Sequence, residues 1–183
     1  MIILASQSPR RQQLMHSITD DFVVEVSHID EDSSLVLPPL EAVKDIAKRK
    51  GLDIVRRHPG QIVISADTIV VIDNMILGKP VNEADASRML NLLSNRTHQV
   101  ITAYCLFKGD KFLENYVVSE VEFYKLNKFL IDRYVATGSP LDKAGAYGVQ
   151  DNEEFSIVKN VTGSLTNVIG FPVDEIREDF NKF

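Results

Sequence analysis

Apolar residues along this chain follow two spacings, one typical of strands and the other of helices. The short apolar run at residues 2–5 predicts a strand, and Leu14, Met15 and Ile18 then repeat at helical spacing. A long run rich in β-branched residues, at 61–72, predicts a second strand. Strands and helices that interleave in this way predict an α/β architecture.

The remaining elements are expected from the same spacings and from the turn residues between them. We expect a strand over residues 22–26, a helix over 40–50 that ends at Gly51, and a helix that begins at Asn82. Residues 97–107 and 112–124 flank Gly109 and Asp110, which predicts an antiparallel hairpin. A helix over 127–137, a strand over 155–161, and closing helices after Gly163 and Pro172 complete the prediction. The sheet is therefore expected to be mixed and flanked by helices.

Length and composition narrow the class of protein. The 183 residues fit a single domain over 1–183, or two closely joined lobes. A hydrophobic share of 44% and a charged share of 25% are ordinary for a globular protein. A net charge of −6 argues against nucleic acid or a membrane surface as the partner, because both attract a broad positive field.

Cysteine usage and the absence of a leader predict a cytoplasmic location. Cys105 is the only cysteine, so the chain has no intrachain disulfide and no cysteine-based metal site, which suits a reducing compartment. The apolar start is too short and lacks the basic flank of a signal peptide, and no later stretch is apolar enough to span a bilayer.

The turn after the first strand has the residues of a phosphate site. Ser8 is a favourable N-cap and Pro9 suits the first helical position, so a helix begins here. Its free backbone N–H groups attract anions, and the guanidinium groups of Arg10 and Arg11 match phosphate oxygens. The alternative is two solvated surface charges, although arginine at a helix start is unfavourable without an anion. Ser6 adds a second hydroxyl to the predicted clamp.

A second chemical feature is Asp67, in the middle of the β-rich run. Burying a carboxylate there without a partner would cost several kcal/mol, so a cation, a metal or several donors must meet it. A strand irregularity in which Asp67 binds only backbone is the alternative. Lys50 falls near the buried face of its helix and Lys79 lies in a Gly-Lys-Pro turn, so both are candidate counter-charges. A lysine that extends to solvent is the alternative for each.

A third feature is the glycine-containing segment at residues 142–150. Gly145 and Gly148 allow the main chain to approach a ligand closely, and Tyr147 could support the loop. Gln150 offers both a donor and an acceptor. The glycine spacing matches neither a Walker A sequence nor a dinucleotide fingerprint.

Together these motifs resemble the Maf family over nearly the whole chain. They are Leu4-Ala5-Ser6-x-Ser8-Pro9-Arg10-Arg11, Ser65-Ala66-Asp67-Thr68, Gly78-Lys79-Pro80 and Lys143-Ala144-Gly145-Ala146-Tyr147-Gly148-Val149-Gln150. The resemblance implies a nucleoside triphosphate pyrophosphatase that depends on a divalent metal cation. It also implies a fold similar to that of inosine triphosphate pyrophosphatases, a mixed sheet flanked by helices with a cleft between two lobes.

The resemblance also assigns roles to individual positions. Asp67 matches the catalytic proton acceptor, and Arg10, Thr68 and Gln150 match positions that distinguish substrates. The Tyr-Gly-Val-Gln segment is similar to the branch that hydrolyses dTTP and UTP, and modified pyrimidine triphosphates are further candidate substrates. The chain departs from the family pattern where Asp151 replaces a common glycine and Gly51 a common alanine.

The expected mechanism is attack of water on the α-phosphorus. Asp67 would orient or deprotonate the water, and Glu31 is the candidate second ligand of Mg²⁺ or Mn²⁺, although an acidic loop is often simply solvated. The predicted phosphate-binding residues are Ser6, Ser8, Arg10, Arg11, Lys50 and Lys79. Two other functions stay open, a 7-methyl-GTP pyrophosphatase and a nucleotide-binding regulator of septum formation without catalysis. The sequence also leaves a homodimer open.

Overall fold

The computed structural model describes the whole chain, Met1–Phe183, as one mixed sheet with helices on both faces. The strands are β1 (Ile2–Ala5), β2 (Val23–Val24), β3 (Ile62–Ile72), β4 (Met75–Leu77), β5 (Thr97–Lys108), β6 (Lys111–Phe123) and β7 (Val158–Thr162). The helices are α1 (Pro9–Met15), α2 (Pro39–Arg57), α3 (Glu83–Leu93), α4 (Lys128–Ala136), α5 (Asn152–Phe155), α6 (Leu165–Ile169) and α7 (Val173–Lys182). This α/β architecture confirms the predicted fold class.

The sheet is parallel at one end and antiparallel at the other. Its order is β2-β1-β3-β5-β6-β7, with β4 paired to β3 outside this path. β1 lies parallel to both β2 and β3, whereas the pairs β3–β4, β3–β5, β5–β6 and β6–β7 are antiparallel. The hairpin of β5 and β6 confirms the prediction around Gly109 and Asp110.

One edge of β3 is left open in its middle. β1 pairs with β3 up to Ala5 opposite Ser65, and β4 begins to pair at Leu77 opposite Val70. Residues 66–69 therefore have no strand partner on that edge, although β5 pairs with them on the other. The chain leaves β1 toward α1 and leaves β4 toward the Gly78 turn, so both connections border this opening. The carboxyl end of β1 borders the opening, and open α/β sheets place ligands outside the carboxyl ends of their strands.

Two lobes lie on either side of the opening. In one, α2 packs on one face of β1 and β3, and α1 and α7 pack on the other face. In the second, α3 and α4 pack with the far ends of β3 and β5. The strands β3 and β5, of 11 and 12 residues, run through both lobes and hold them together.

Three sequence predictions need correction at their boundaries. The predicted helix end at Gly51 is wrong, because α2 continues to Arg57 and Gly51 is buried inside it. A Cβ atom at Gly51 would lie 2.2 Å from Cε2 of Phe107, so glycine here permits close packing of helix on sheet. Only Val23–Val24 of the strand predicted at 22–26 pairs. The strand predicted at 155–161 begins at Val158, after the short helix α5.

None of the helices has both the length and the apolar character needed to cross a membrane.

Candidate active site

A cavity of about 600 Å³ occupies the opening beside β3, a volume typical of small-ligand sites. Every residue predicted to belong to the site lines it. These residues are Ser6, Ser8, Arg10, Arg11, Glu31, Lys50, Asp67, Thr68, Lys79 and Gln150. They come from six separate segments of the chain, which only the fold brings together.

The cavity is more basic than the molecule as a whole. Five basic and four acidic residues line it, whereas the chain has a net charge of −6. The basic residues are Arg10, Arg11, Lys50, Lys79 and Lys143, and the acidic ones are Glu31, Asp32, Asp67 and Asp142. A local excess of positive charge favours an anionic ligand.

Asp67 meets Lys50 because α2 covers its face of β3. Side chains alternate along a strand, so Asp67 shares a face with Ser65 and Ile69. The Ser65 hydroxyl donates to the carbonyl of Ala47 in α2, at 2.7 Å, which fixes the helix against the strand. Lys50 follows one helical turn after Ala47 and therefore reaches the open edge of β3.

The Lys50 ammonium joins two carboxylates. Its Nζ donates to Asp67 Oδ1 at 2.7 Å and lies 2.9 Å from Glu31 Oε1. Asp67 is only 8% exposed, so this ion pair supplies the partner that a buried carboxylate needs. The alternative in which Asp67 binds only backbone does not occur.

The two carboxylates suit a magnesium-type ion better than an all-protein metal site. No group of three or more His, Cys, Asp or Glu side chains is placed to hold a metal. Mg²⁺ commonly takes one or two carboxylates and fills its shell with water and phosphate oxygens. Asp67 and Glu31 both contact Lys50 Nζ, at 2.7 and 2.9 Å, so the two carboxylates lie close together and this donor set fits such an ion.

The turn between β1 and α1 has the geometry of an anion-binding helix start. The Ser8 hydroxyl caps α1 by accepting from the backbone N–H of Arg11 at 3.5 Å, as predicted. Ser6 accepts from the backbone N–H of Ser8 at 3.2 Å. The first turn of α1 contains no acidic residue that would compete for an anion. This turn borders the open edge of β3 directly.

The two arginines of this turn have different partners. Arg10 crosses the cleft, with its Nη1 atom 3.2 Å from Oδ2 of Asp142. Arg11 instead donates from Nε to the carbonyl of Gly170, at 2.8 Å, and from Nη2 to the Thr68 hydroxyl, at 2.9 Å. Burial lowers the pKa of Arg11, and the charge of Asp67 partly opposes this shift. Arg10 thus has only one ion pair to exchange for a ligand, whereas Arg11 connects α1 to the segment before α7 through its bond to Gly170.

Thr68 points to the opposite face of β3 from Asp67. Its hydroxyl lies 2.9 Å from the Thr102 hydroxyl of β5, which in turn donates to the carbonyl of Asn167 at 3.1 Å. Asp67 and Thr68 still line one cavity because the open edge of β3 connects the two faces of the sheet.

The segment 138–151, which we call the 138–151 loop, forms the far wall of the cavity. It consists of three short 3-10 turns, at Ser139–Asp142, Ala144–Ala146 and Val149–Asp151. Gly145 has a φ of 70°, and its N–H donates to the carbonyl of Gly78 beside Lys79. A Cβ atom at Gly145 would lie 2.9 Å from Cγ2 of Val70, so the loop packs closely on β3.

Tyr147 supports this loop, as the sequence suggested. Its hydroxyl lies 2.7 Å from Nε2 of His98, which is buried on β5. Burial lowers the pKa of His98 to about 4, and burial likewise raises the pKa of Tyr147 above its usual range. The pair is therefore neutral near pH 7.

Sequence reasoning missed two contributors to the site. Asp142 was noted only as part of a motif, yet it pairs with Arg10 across the cleft. The carbonyl of Gly170 holds Arg11, and a backbone acceptor gives no signal in a sequence. Gly170 itself is marked by a φ of 116°, which favours glycine.

Comparison with known proteins identifies relatives along the entire chain. Residues 1–183 match the model of the family described as Maf-like protein. A dTTP/UTP pyrophosphatase of Symbiobacterium thermophilum is 42% identical, covering 100% of this chain and 93% of the relative. A dTTP/UTP pyrophosphatase of Thermococcus onnurineus is 44% identical, covering 95% and 93%.

A solved structure shares the fold. The Ham1 protein of Staphylococcus aureus superposes with a TM-score of 0.54 at 18% identity, covering 99% of this chain and 98% of that protein. At this identity the likeness concerns the fold alone.

Proposed function

This chain belongs to the family of Maf-like proteins, and we propose that it hydrolyses dTTP and UTP to the monophosphate and pyrophosphate. The observation that carries the proposal is a buried carboxylate, Asp67, held by Lys50 in the same cavity as the capped start of α1. The names of the relatives support the reaction and the two pyrimidine substrates.

The triphosphate would lie along the charged side of the cavity. Arg10 and Lys79 would bind the phosphate oxygens, together with the Ser6 and Ser8 hydroxyls and the N–H groups that begin α1. Arg10 would exchange its ion pair with Asp142 for one with phosphate. Arg11 would act mainly by holding Thr68 and Gly170 in place.

Asp67 would accept a proton from the attacking water and orient it toward the α-phosphorus. Lys50 fixes the carboxylate through Oδ1. We propose that Asp67 and Glu31 hold a divalent cation, Mg²⁺ or Mn²⁺, which when bound would neutralise charge on the phosphate oxygens. Because pyrophosphate leaves as an anion, Arg10 and Lys79 would stabilise the developing charge as well.

The base would lie toward Thr68 and Gln150. Both line the cavity. An amide such as that of Gln150 matches the carbonyl and N–H groups of a uracil or thymine edge in both directions.

A substrate panel tests this proposal. Release of pyrophosphate would be measured with dTTP, UTP, a modified pyrimidine triphosphate, CTP, GTP and 7-methyl-GTP, each with Mg²⁺ or Mn²⁺. We expect the pyrimidine substrates dTTP and UTP to be preferred, with pyrophosphate rather than orthophosphate as the product. Preference for 7-methyl-GTP would contradict the assigned substrates, and nucleotide binding without any pyrophosphate release would indicate a sensor.

We also propose a cytoplasmic location, which the single cysteine supports. Cys105 is buried, and burial raises the pKa of its thiol to about 12, so it stays protonated. Gel filtration would test whether the chain forms the homodimer that the sequence leaves open.

A further inference from the structure

Asp151 stands next to Gln150 and holds two hydroxyl groups at once. Its Oδ2 accepts from Tyr134 in α4 at 2.6 Å and from Ser139 at 2.7 Å. In the sequence, Asp151 is marked only as a departure from the glycine that is common at this position of the family. In the structure it connects both ends of the 138–151 loop to α4.

The Tyr134 hydroxyl connects Asp151 to the backbone beside Gln150. It accepts from the N–H of Gly148 at 3.0 Å while donating to Asp151. Tyr134 is fully buried, and its burial and its bond to Asp151 raise its pKa above the usual range. The N–H of Asp151 also donates to the carbonyl of Gly148, so a closed ring of hydrogen bonds surrounds the turn that carries Gln150.

The Ser139 hydroxyl connects Asp151 to Lys143, on the part of the loop that carries charged residues. Lys143 donates to the hydroxyl and the carbonyl of Ser139, at 2.9 and 2.6 Å. Lys143 also contacts Asp142, the partner of Arg10. The stem of Lys143 packs against Gly148, where a Cβ atom would lie 2.7 Å from its Cε atom.

We propose that Asp151 is a positioning residue for substrate specificity, which sets Gln150 and Lys143 through Tyr134 and Ser139. The inference rests on the proposed function in one respect, that Gln150 contacts the base. Irregular turns have no ladder of backbone hydrogen bonds to fix them, so side-chain bonds decide their position. A displaced Gln150 would weaken recognition of the base more than the attack of water at Asp67.

The decisive variant is Asp151→Ala. Asp151 has a φ of −83° and a ψ of −1°, which alanine adopts without strain, so the change removes the carboxylate alone. We expect KM for UTP to rise about tenfold, because Gln150 would lose its ordered contact with the base. We expect kcat to stay within about twofold of the parent. The preference for UTP over GTP should fall by a similar factor. Equilibrium binding of α,β-imido-UTP, a non-hydrolysable analogue, should weaken in parallel with KM.

Three more variants separate positioning from general stability. Tyr134→Phe should reproduce much of the change in KM, and its effect should add only partly to that of Asp151→Ala, because both variants remove the bond between Tyr134 and Asp151. Asp151→Asn keeps an acceptor oxygen and should recover part of the selectivity. Glu154→Gln, an exposed acid on the adjacent helix α5, is the matched control and should leave KM unchanged.

These experiments distinguish failure of the inference about Asp151 from failure of the proposed hydrolysis. Unchanged KM and unchanged selectivity in Asp151→Ala would overturn this inference while UTP hydrolysis stood. An equal fall of kcat for every nucleotide would also overturn it, since that would mark a structural role. If the parent released no pyrophosphate yet bound α,β-imido-UTP, and Asp151→Ala lost that binding, the hydrolase would fail and the inference would hold. If Asp151→Ala did not fold, Tyr134→Phe and Asp151→Asn would decide by the same readouts.

Discussion

The two sides of the cleft are held by different kinds of interaction. On the charged side, Lys50 and Asp67 belong to a helix and a strand whose backbone bonds fix them, and Arg10 begins a capped helix. On the other side, the 138–151 loop has only 3-10 turns and depends on Tyr134, Asp151 and other side chains. The side proposed for chemistry is thus rigid by its secondary structure, while the side proposed for recognition depends on a few hydrogen bonds.

Asp67→Asn tests the charged side with the largest expected effect. The amide keeps an oxygen for Lys50 but cannot accept a proton at neutral pH, so kcat for UTP should fall about 10³-fold. Binding of α,β-imido-UTP should stay within a few-fold of the parent. Asp110→Asn, in the exposed β5–β6 turn, is the control. Near-normal turnover in Asp67→Asn would remove its catalytic role.

Acid should destabilise the side of the cleft formed by the 138–151 loop, because Tyr147 of this loop contacts His98. Burial lowers its pKa in the fold to about 4, against 6.5 ordinarily, so between these values only the unfolded chain binds the proton. The stability that neutral His98 adds to the fold is therefore complete above about pH 6.5. It is lost by about pH 4, which lowers the free energy of unfolding by about 3 kcal/mol. Urea unfolding across this range should show a shallower pH dependence in His98→Gln than in the parent. His28→Gln, at an exposed histidine, is the matched control.

Gly51→Ala tests whether the packing of α2 on the sheet holds the charged side. Alanine gains about 1 kcal/mol of helix propensity, but its Cβ would meet Phe107 and the Ser65 hydroxyl at 2.2 and 2.6 Å. Overpacking should dominate, with a net loss of about 1 to 2 kcal/mol in the free energy of unfolding. Gly51→Ala combined with Phe107→Leu should recover part of the loss. Gly78→Ala, where a Cβ meets nothing within 4 Å, controls for glycine replacement in general, and equal losses at both positions would contradict the packing argument.

Asp142→Asn should have the smallest effect, at the one ion pair that joins the two sides. Burial disfavours its ionised form, but Lys143 and Arg10 outweigh this and lower its pKa, so the pair with Arg10 is present at neutral pH. Because Asp142 is 63% exposed, the pair is weak, and its loss should lower KM for UTP only about two- to threefold. The difference should shrink at high salt. Asp132→Asn, which breaks an exposed pair in α4, should not change KM. A higher KM in Asp142→Asn would instead place Asp142 among the substrate contacts.

Short-range sequence patterns predicted most of the helices and strands and most of the charged residues that line the cleft. The Ser8 cap, the position of Lys50 near the buried face of its helix, and the need of Asp67 for a partner all follow from neighbouring residues. Gly51 misled the prediction, because a glycine that ends helices also permits close packing, and Phe107 decides which role applies. The sequence could not separate Arg10 from Arg11, whose difference depends on Gly170 and Asp142 from distant segments.

The sequence by itself determined that this protein has an α/β fold with a capped helix start after its first strand and a carboxylate that requires a cation, a metal or several donors. Spacing, capping and the cost of a buried charge act within a few residues, and they can be evaluated without the fold. Only the tertiary structure decided that β3 has an open edge, that Arg10 meets Asp142, and that Asp151 holds Tyr134 and Ser139. These contacts join segments far apart in the chain, so their formation depends on how helices and strands pack rather than on any local preference.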